Sequence, residues 1–219
     1  MTLIIVAVSY LLGSIPFGYL LVRIFRGEDV RQTGSGNIGA TNVARTGSRG
    51  LAIATLLLDG LKGYAAVVLA MWLLHSGHIA VQVSDQPDGH TSLFPAQQAI
   101  LMAALAALCA LLGHMFPVWL RFKGGKGVAT AAGAFVALAP RAMLIALVLF
   151  AIVFALTRYV SLGSIVAAAA FPFFVWWLSP AELRTGPIFL VIGASGLLII
   201  ARHKDNIRRL LSGTENRFR

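Results

Sequence analysis

The feature that most restricts the fold of this chain is a series of long apolar runs separated by short polar segments. Lys, Arg, Asp and Glu make up only 12% of the 219 residues, and the mean hydropathy is +0.82. A soluble domain of this size carries about 25% charged residues. Because a helix of about 20 apolar residues crosses a bilayer, the pattern predicts an all-α, polytopic integral membrane protein, with residues 1–219 forming a single membrane domain.

Seven apolar segments are expected to span the membrane. Their predicted ranges are 2–24, 51–74, 99–120, 128–139, 141–157, 161–178 and 187–201. Residues 128–156 as one helix would be about 43 Å long, which exceeds a hydrocarbon core of about 30 Å, so the chain is divided at Pro140. The fourth span then covers only about 18 Å and is expected to be half-buried against protein. The polar segment 75–98 is predicted to lie outside the membrane, without an assigned role.

The distribution of positive charge supports this division. With seven spans, the loops after spans one, three and five and the C-terminal tail share one side and hold fifteen of the eighteen Lys and Arg residues. The positive-inside rule then predicts an outer N-terminus, a cytoplasmic C-terminus and polar motif loops on the cytoplasmic side. The same clustering explains the net charge of +10 without a nucleic-acid partner.

Residues 33–45, TGSGNIGATNVAR, form the first polar motif. Glycines let several backbone N–H groups turn toward one point and bind an anion. Ser35, Asn37 and Asn42 add hydrogen-bonding side chains, and Arg45 adds a guanidinium suited to phosphate. A tight turn before the next helix is the simpler interpretation. A second Gly/Lys-rich stretch, FKGGKGVAT at 122–130, favours two anion sites over two ordinary turns.

Four groups of polar residues are predicted to share the cytoplasmic face. Their cations, hydroxyls and amides suit a phosphate-bearing ligand, since a phosphate dianion needs several cationic or N–H donors. The groups are Ser35, Gly36, Asn37, Asn42 and Arg45; His114, Lys123, Gly124, Gly125, Lys126 and Thr130; Arg158, Ser161 and Ser164; and Arg202, His203, Asn206 and Glu215. A charged rim that only fixes topology does not require a Gly-Gly pair between two lysines.

Two histidines and one buried charge pair allow more than one interpretation. His203 and Asn206 lie three residues apart and share a helix face, so His203 is a candidate general base or phosphate donor as well as an ordinary surface histidine. His114 is equally well explained as a hydrogen-bonding contact between helices. Asp59 and Lys62 lie within the second span and are expected to form an internal salt bridge.

The motifs resemble those of the bacterial membrane glycerol-3-phosphate acyltransferases that use acyl phosphate, the PlsY family. The matching stretches are GSIPFGYL at 13–20, GSGNIGATNVAR at 34–45, DGLKG at 59–63, GHMFPVWLRFKGGKGVAT at 113–130, RYVSLGSI at 158–165 and RHKDNIRRLLSGTENR at 202–217. They follow one another over nearly the whole chain. Ile38 stands where many relatives have proline. This difference removes no polar group from the first motif.

The resemblance implies seven transmembrane helices in the bacterial inner membrane, with the active site on the cytoplasmic side. It implies transfer of a fatty acyl group from acyl phosphate to the 1-hydroxyl of sn-glycerol 3-phosphate, giving lysophosphatidic acid and phosphate in the first step of phospholipid synthesis. Membrane lipid and the enzyme that makes acyl phosphate are the implied partners. The site residues carried over are Ser35, Asn37, Arg45, Lys123, Gly124, Gly125, Lys126, Ser161, His203, Asn206 and Glu215.

The residues fit this chemistry independently of the resemblance. An acyl phosphate is already activated, and the chain has no G-x-S-x-G nucleophile motif, so direct attack without a covalent acyl-enzyme is expected. With a single cysteine, Cys109, no metal site or cofactor is predicted. Taken together with the resemblance, these observations lead us to expect catalytic roles for Ser35, Arg45, Lys123, Ser161, His203 and Asn206; phosphate binding by Gly36, Asn37, Asn42, Gly124, Gly125, Lys126 and Thr130; and supporting roles for His114 and Glu215.

Two other functions remain open from the sequence. A transporter or channel for a phosphorylated solute would also need cationic loops and broken helices, but the chain contains no recognisable inverted repeat. Apart from Asp59 and Lys62, its charges keep to the predicted faces of the membrane. A lipid-binding scaffold without catalysis is the third candidate.

Overall fold

The computed structural model describes residues 2–75 and 94–218, and these residues form ten α-helices joined by short loops and 3-10 turns. The helices are α1 (Thr2–Ser14), α2 (Phe17–Arg26), α3 (Ala40–Arg45), α4 (Arg49–His75), α5 (Phe94–Met115), α6 (Val128–Leu138), α7 (Pro140–Thr157), α8 (Val160–Leu178), α9 (Gly186–Arg202) and α10 (Lys204–Leu211). The all-α prediction is therefore confirmed.

The first predicted span is divided into two helices. α1 ends at Ser14 and α2 begins at Phe17, because Pro16 has no backbone N–H and restricts the residue before it. Lys62 Nζ of α4 donates to the Ile15 carbonyl over 2.7 Å, which satisfies a backbone acceptor that the break leaves free. The carbonyl freed at the break is therefore hydrogen-bonded within the bundle.

Five stretches have the length and apolar character of a membrane span: Thr2–Arg26, Arg49–Leu74, Gln97–Leu120, Pro140–Thr157 and Val160–Leu178. α9 and α10 qualify only when taken together, across a bend of 57°. α6 is apolar but has only 11 residues. The chain is thus confirmed as a membrane-type helical bundle, and the count of seven spans stays a prediction. Most of the predicted outer segment, residues 76–93, lies outside the described residues.

Small residues bring the helices of the bundle close together. Gly13 of α1 faces the backbone of Ala110 in α5, and Gly63 of α4 faces the carbonyl of Thr130 in α6, where an added Cβ would overlap the neighbouring backbone. Close approach of this kind is typical of packing in membranes. Hydrogen bonds join the end of α5, the loop before α6, the start of α8 and the end of α9 with α10 and the tail, so these segments lie at one end of the bundle.

Candidate active site

Polar side chains from distant segments meet at the bend between α9 and α10. Lys126, in the loop before α6, donates from Nζ to Oδ1 of Asn206 in α10. Asn206 Nδ2 donates to Glu215 Oε1 over 2.6 Å, and Ser161 Oγ at the start of α8 donates to the same oxygen over 2.8 Å. These contacts join residues 80 and 54 positions apart, so the tertiary fold builds the cluster.

Glu215 is the acceptor that holds the cluster together. Its Oε2 accepts a hydrogen bond from Arg209 Nε over 2.6 Å, and the Glu215 side chain is only 5% exposed. Burial alone would raise its pKa, but the hydrogen bonds from Asn206, Ser161 and Arg209 hold the pKa of Glu215 below its usual value. Glu215 is therefore ionised at neutral pH and acts as a fixed anchor for three side chains.

Lys126 is the cation at the centre of this cluster. Burial lowers the pKa of its ammonium group to about 8, with Glu215 opposing the shift. The nearby guanidinium groups of Arg209, Arg45 and Arg202 lower it further. Lys126 is still mostly charged at pH 7, and the surrounding positive charge makes this position attractive to an anion.

His203 lies at the bend itself and is 2% exposed. Its Nδ1 lies 2.8 Å from the carbonyl oxygen of Ile199, an acceptor, so the proton of the neutral ring is on Nδ1 and Nε2 carries a free lone pair. Burial, reinforced by the charges of Lys126 and Arg202, lowers the pKa of His203 to about 4. At neutral pH this imidazole is uncharged and can accept a proton or a hydrogen bond at Nε2.

Asn42 is the hub of the loop between α2 and α3. Its Oδ1 accepts from the backbone N–H of Ser35 over 2.8 Å and from the Ser35 hydroxyl over 3.2 Å. The two N–H donors of its Nδ2 are shared among the carbonyls of Val30, Thr33 and Asn37, all within 2.9 Å. The amide is 1% exposed and its groups are engaged within the loop, and phosphate binding by Asn42 stays a prediction. Asn42 shapes the loop that presents Ser35.

The other members of the first motif are placed at the surface of the same loop. Ser35, Gly36 and Arg45 are exposed, and Gly36 has φ 68°, a left-handed conformation that favours glycine. The Arg45 side chain packs against Gly34. Its guanidinium charge is close enough to Lys126 to lower the pKa of that amine. Asn37 Oδ1 accepts from the N–H of Gly39 over 2.9 Å. The structure thus brings the first motif toward the Lys126 cluster.

The Gly124–Gly125 pair forms a hydrogen-bonded turn at the end of α5. The N–H of Gly124 donates to the carbonyl of Met115 over 3.1 Å, and the N–H of Gly125 donates to that of His114 over 3.0 Å. Arg202 of α9 donates to both glycine carbonyls over 3.2 Å. These backbone donors face carbonyls in this structure, and phosphate binding by the two glycines stays a prediction. The glycines allow a turn to pack tightly on the end of α5.

Two further predicted site residues lie apart from the cluster. Lys123 is exposed and lines a separate hollow of about 400 Å³ together with Tyr19, Arg31, Trp119, Leu120 and Arg121. Thr130 is fully buried between α6 and α4, and its hydroxyl has no hydrogen-bond partner among the described residues. A phosphate could reach Thr130 only if α4 and α6 separated, and a phosphate contact there stays a prediction.

The predicted salt bridge within the second span is confirmed. Lys62 Nζ lies 2.8 Å from Asp59 Oδ1, and both side chains are at most 3% exposed. His114 joins the pair, with Nδ1 3.5 Å from the same Asp59 oxygen. His114 therefore lies within the bundle, behind the Gly124–Gly125 turn.

An apolar cavity of about 60 Å³ lies between α6, α7, α8 and α9. Val128, Ser164 and Ile199 line it, and each lies within four residues of a member of the cluster: Lys126, Ser161 and His203 respectively. Phe135 and Phe171, with ring centroids 4.8 Å apart, line it farther along α6 and α8. The apolar cavity therefore lies next to the polar cluster.

Sequence reasoning assigned no specific role to two arginines. Arg202 supports the glycine turn and lies 5.2 Å from the centroid of the Phe116 ring. Arg209 pairs with Glu215. The only local signal for Arg209 was its position three residues after Asn206, which puts both on one helix face. Arg202 was grouped with the polar residues of the site, but its partners lie 77 and 78 residues away and could not be predicted locally.

Comparison with known proteins places this arrangement in a family. The family model for glycerol-3-phosphate acyltransferase matches residues 3–213. A glycerol-3-phosphate acyltransferase of Rhodopseudomonas palustris (strain BisB5) is 48% identical over 96% of this chain and 92% of its own length. That of Geobacter sulfurreducens is 46% identical over 99% of this chain and 97% of its own length.

Solved structures agree with the sequence comparison. The glycerol 3-phosphate form of PlsY (YgiH), an integral membrane glycerol 3-phosphate acyltransferase, matches with a TM-score of 0.81 and 35% identity, covering 100% of this chain and 96% of that one. Its lysophosphatidic acid form matches with a TM-score of 0.78 and 34% identity, covering 100% and 95%. On these matches, this chain belongs to the glycerol-3-phosphate acyltransferase family and is of the PlsY type.

Proposed function

We propose that this protein transfers a fatty acyl group from acyl phosphate to the 1-hydroxyl of sn-glycerol 3-phosphate, releasing lysophosphatidic acid and phosphate in the first step of phospholipid synthesis. Membership of the family supports the acceptor and the product. The single observation that carries the proposal is the convergence of Lys126, Asn206 and Glu215 beside the charge of Arg45. A site of this charge suits phosphorylated substrates.

The proposed topology has seven crossings, an outer N-terminus and a site on the cytoplasmic side of the bacterial inner membrane. It rests on the positive-inside rule, with α6 as a short crossing packed against α4. In this orientation soluble glycerol 3-phosphate reaches the cluster from the cytoplasm. Acyl phosphate comes from the membrane or directly from the enzyme that makes it.

Two phosphate groups need two cationic positions. Arg45 and Lys126 are proposed to hold one phosphate, because the positive charges around Lys126 outnumber its single carboxylate neighbour Glu215. The hollow that contains Lys123 and Arg121 is proposed to admit the other. Asn37 Nδ2 is the candidate donor to the carbonyl oxygen of the acyl phosphate as it becomes tetrahedral. The Ser35 hydroxyl joins it as a donor when it turns from Asn42 Oδ1 toward the substrate.

The proposed reaction is a direct displacement. The 1-hydroxyl oxygen of glycerol 3-phosphate attacks the acyl carbonyl carbon and forms the new ester bond. The bond between that carbon and the bridging oxygen breaks, and phosphate leaves with the electron pair. The hydroxyl proton goes to His203 Nε2 or to a phosphate oxygen. The Nδ1 contact with the Ile199 carbonyl supports the first acceptor, since it leaves Nε2 unprotonated.

The apolar cavity is proposed to receive part of the acyl chain. It borders Lys126, Ser161 and His203, and its lining is almost wholly apolar. Each methylene removed from water stabilises the complex by about 0.8 kcal/mol. At about 60 Å³ the cavity is too small for a whole fatty acyl chain, so the rest of the chain is proposed to lie against lipid.

The test uses purified protein in nanodiscs with radiolabelled glycerol 3-phosphate and either acyl phosphate or acyl-CoA. We expect labelled lysophosphatidic acid and stoichiometric phosphate with acyl phosphate, and no product with acyl-CoA. Lys126→Met is expected to lower kcat/KM on the order of 100-fold, since it removes a charge contact to phosphate. The matched control is Lys204→Met, an exposed lysine of α10, which is expected to retain full activity. Product formed from acyl-CoA but not from acyl phosphate would contradict the proposal that acyl phosphate is the donor.

Two further experiments test whether His203 is the proton acceptor and whether the protein is instead a transporter. His203→Gln with near-native kcat would remove His203 as the proton acceptor and leave the substrate phosphate. In proteoliposomes without acyl donor, labelled glycerol 3-phosphate should stay outside. Uptake without lipid formation would favour a transporter.

A further inference from the structure

A cluster of three ionisable side chains lies inside the bundle without contact to any proposed substrate position. Asp59 and Lys62 belong to α4 and His114 belongs to α5, and their exposed fractions are 2%, 4% and 3%. Lys62 lies 2.8 Å and His114 3.5 Å from the same Asp59 oxygen. Ionisable groups at membrane depth are costly and are usually present for a function.

The cluster contacts the loop of the active site at the Gly124–Gly125 turn, and most closely at Gly125. The carbonyl of His114 accepts from the N–H of Gly125 over 3.0 Å. The imidazole of His114 fills the space beside Gly125, so that a Cβ at this position would overlap Nε2. Backbone and ring of one histidine therefore fix the same glycine from two directions.

Gly125 is followed directly by Lys126, whose ammonium group reaches Asn206 and the Glu215 anchor. On the opposite side, Arg202 donates to the Gly125 carbonyl. The turn is thus held between a buried histidine and an arginine at the end of α9. A shift of His114 would move the backbone that carries Lys126.

We propose that Asp59, Lys62 and His114 are positioning residues that hold the Gly124–Gly125 turn in place and thereby aim the Lys126 ammonium group at the substrate phosphate. Asp59 holds the imidazole by a charge contact of 3.5 Å rather than by a hydrogen bond. Lys62 fixes Asp59, and its bond to the Ile15 carbonyl ties the cluster to the break between α1 and α2. This inference rests on the proposed function for the phosphate, but the geometry of the turn is independent of the reaction.

A role in helix packing alone makes a different prediction. If the cluster only joined α4 to α5, its removal would lower stability and would reduce activity by the same factor whether or not Lys126 is present. If the cluster acts through Lys126, the loss of activity from removing the cluster and the loss from removing Lys126 must not add. Residues that act as one unit couple in a double-mutant cycle.

The experiment combines Asp59→Asn and His114→Ala, each singly, with Lys126→Met in nanodiscs. Each single substitution is expected to lower kcat/KM on the order of 10-fold through misplacement of Lys126. In the Lys126→Met background the same substitutions should cost less than about 2-fold. The matched control is Thr55→Ala, since Thr55 is buried on α4 but bonds only to its own helix, at the Leu51 carbonyl. Additive losses, or no loss from either substitution, would overturn the proposal.

A second measurement needs no acyl transfer and keeps the two proposals separable. The pH dependence of Lys126 labelling by an amine-reactive probe, followed by mass spectrometry, reports the pKa of this amine, which is about 8 in the folded protein. In Asp59→Asn and His114→Ala the pKa is expected to rise toward the ordinary value of 10.5 as the amine leaves its buried position. An unchanged labelling pKa would contradict positioning even in an active enzyme. An inactive wild type with the expected shift would contradict only the proposed reaction.

Discussion

Replacing Glu215 by Gln is expected to disable the site while keeping its shape. The carboxylate accepts three hydrogen bonds: two on Oε1, from Asn206 and Ser161, and one on Oε2, from Arg209. In the variant, if the remaining oxygen keeps the first two bonds, the new amide N–H₂ faces the N–H of Arg209. Two donors then point at each other, and the charge-assisted bond is lost.

The size of the effect follows from that lost bond. A hydrogen bond to a charged group contributes about 1.5–3 kcal/mol, and Arg209 is 37% exposed, which favours the lower part of this range because water can replace the bond. About 2 kcal/mol of anchoring energy corresponds to roughly 30-fold in an equilibrium or a rate. We therefore expect kcat/KM for acyl transfer to fall about 30-fold, with the residues after 211 released from the junction of α7 and α8.

The assay pairs initial rates with limited trypsin digestion at Arg217. Glu28→Gln is the matched control, since Glu28 pairs with Arg26 at the surface over 3.0 Å, and its activity should change less than about 2-fold. Faster cleavage at Arg217 should accompany the loss of activity in Glu215→Gln only. If Glu215→Gln keeps at least half of the activity and the same digestion rate, the anchoring role assigned to Glu215 is wrong.

Three further outcomes follow from the structure. Asn42→Ala should lower the free energy of local loop unfolding by about 3 kcal/mol, measured by hydrogen exchange, whereas Asn37→Ala, which loses one accepted bond, should lower it by about 1 kcal/mol. Because the pKa of Lys126 is about 8 and only its cation binds phosphate, kcat/KM for glycerol 3-phosphate should fall as the pH rises through about 8, and Lys126→Arg should remove this limb of the profile. In oriented vesicles with Cys109 replaced, Ser212→Cys should react with an impermeant thiol reagent from the cytoplasmic side only, and Glu182→Cys from the outer side only; the reverse pattern would overturn the topology.

The sequence alone was sufficient to predict the helical bundle, because the length of apolar runs and the bias in charge are properties of local sequence. The break at Pro140 and the short helix after Gly127 both follow from them. It also identified the loops that contain Ser35, Lys126 and His203, since polar and glycine-rich segments stand out in an apolar chain. The charge pair Asp59–Lys62 was predictable from its spacing of three residues.

The roles within the site were not predictable in the same way. Gly124 and Gly125 resemble an anion-binding loop in sequence, but their N–H groups face carbonyls that only the fold brings near. Asn42 was predicted to bind phosphate because amides can do so, and its contacts with five groups of its own loop could not be read from the sequence. Whether a donor is free depends on tertiary contacts, and no motif records that.

The 57° bend at His203 makes the number of residues in α9 matter more than their identity. Each residue advances a helix by about 1.5 Å and turns it by about 100°, so deleting a single residue upstream would swing the imidazole to another side of the bundle. Inserting four would restore its direction but raise it about 6 Å toward water. Lipid-facing positions such as Leu190 and Leu197 can therefore vary in side chain, whereas any change in helix length would separate the imidazole from Lys126.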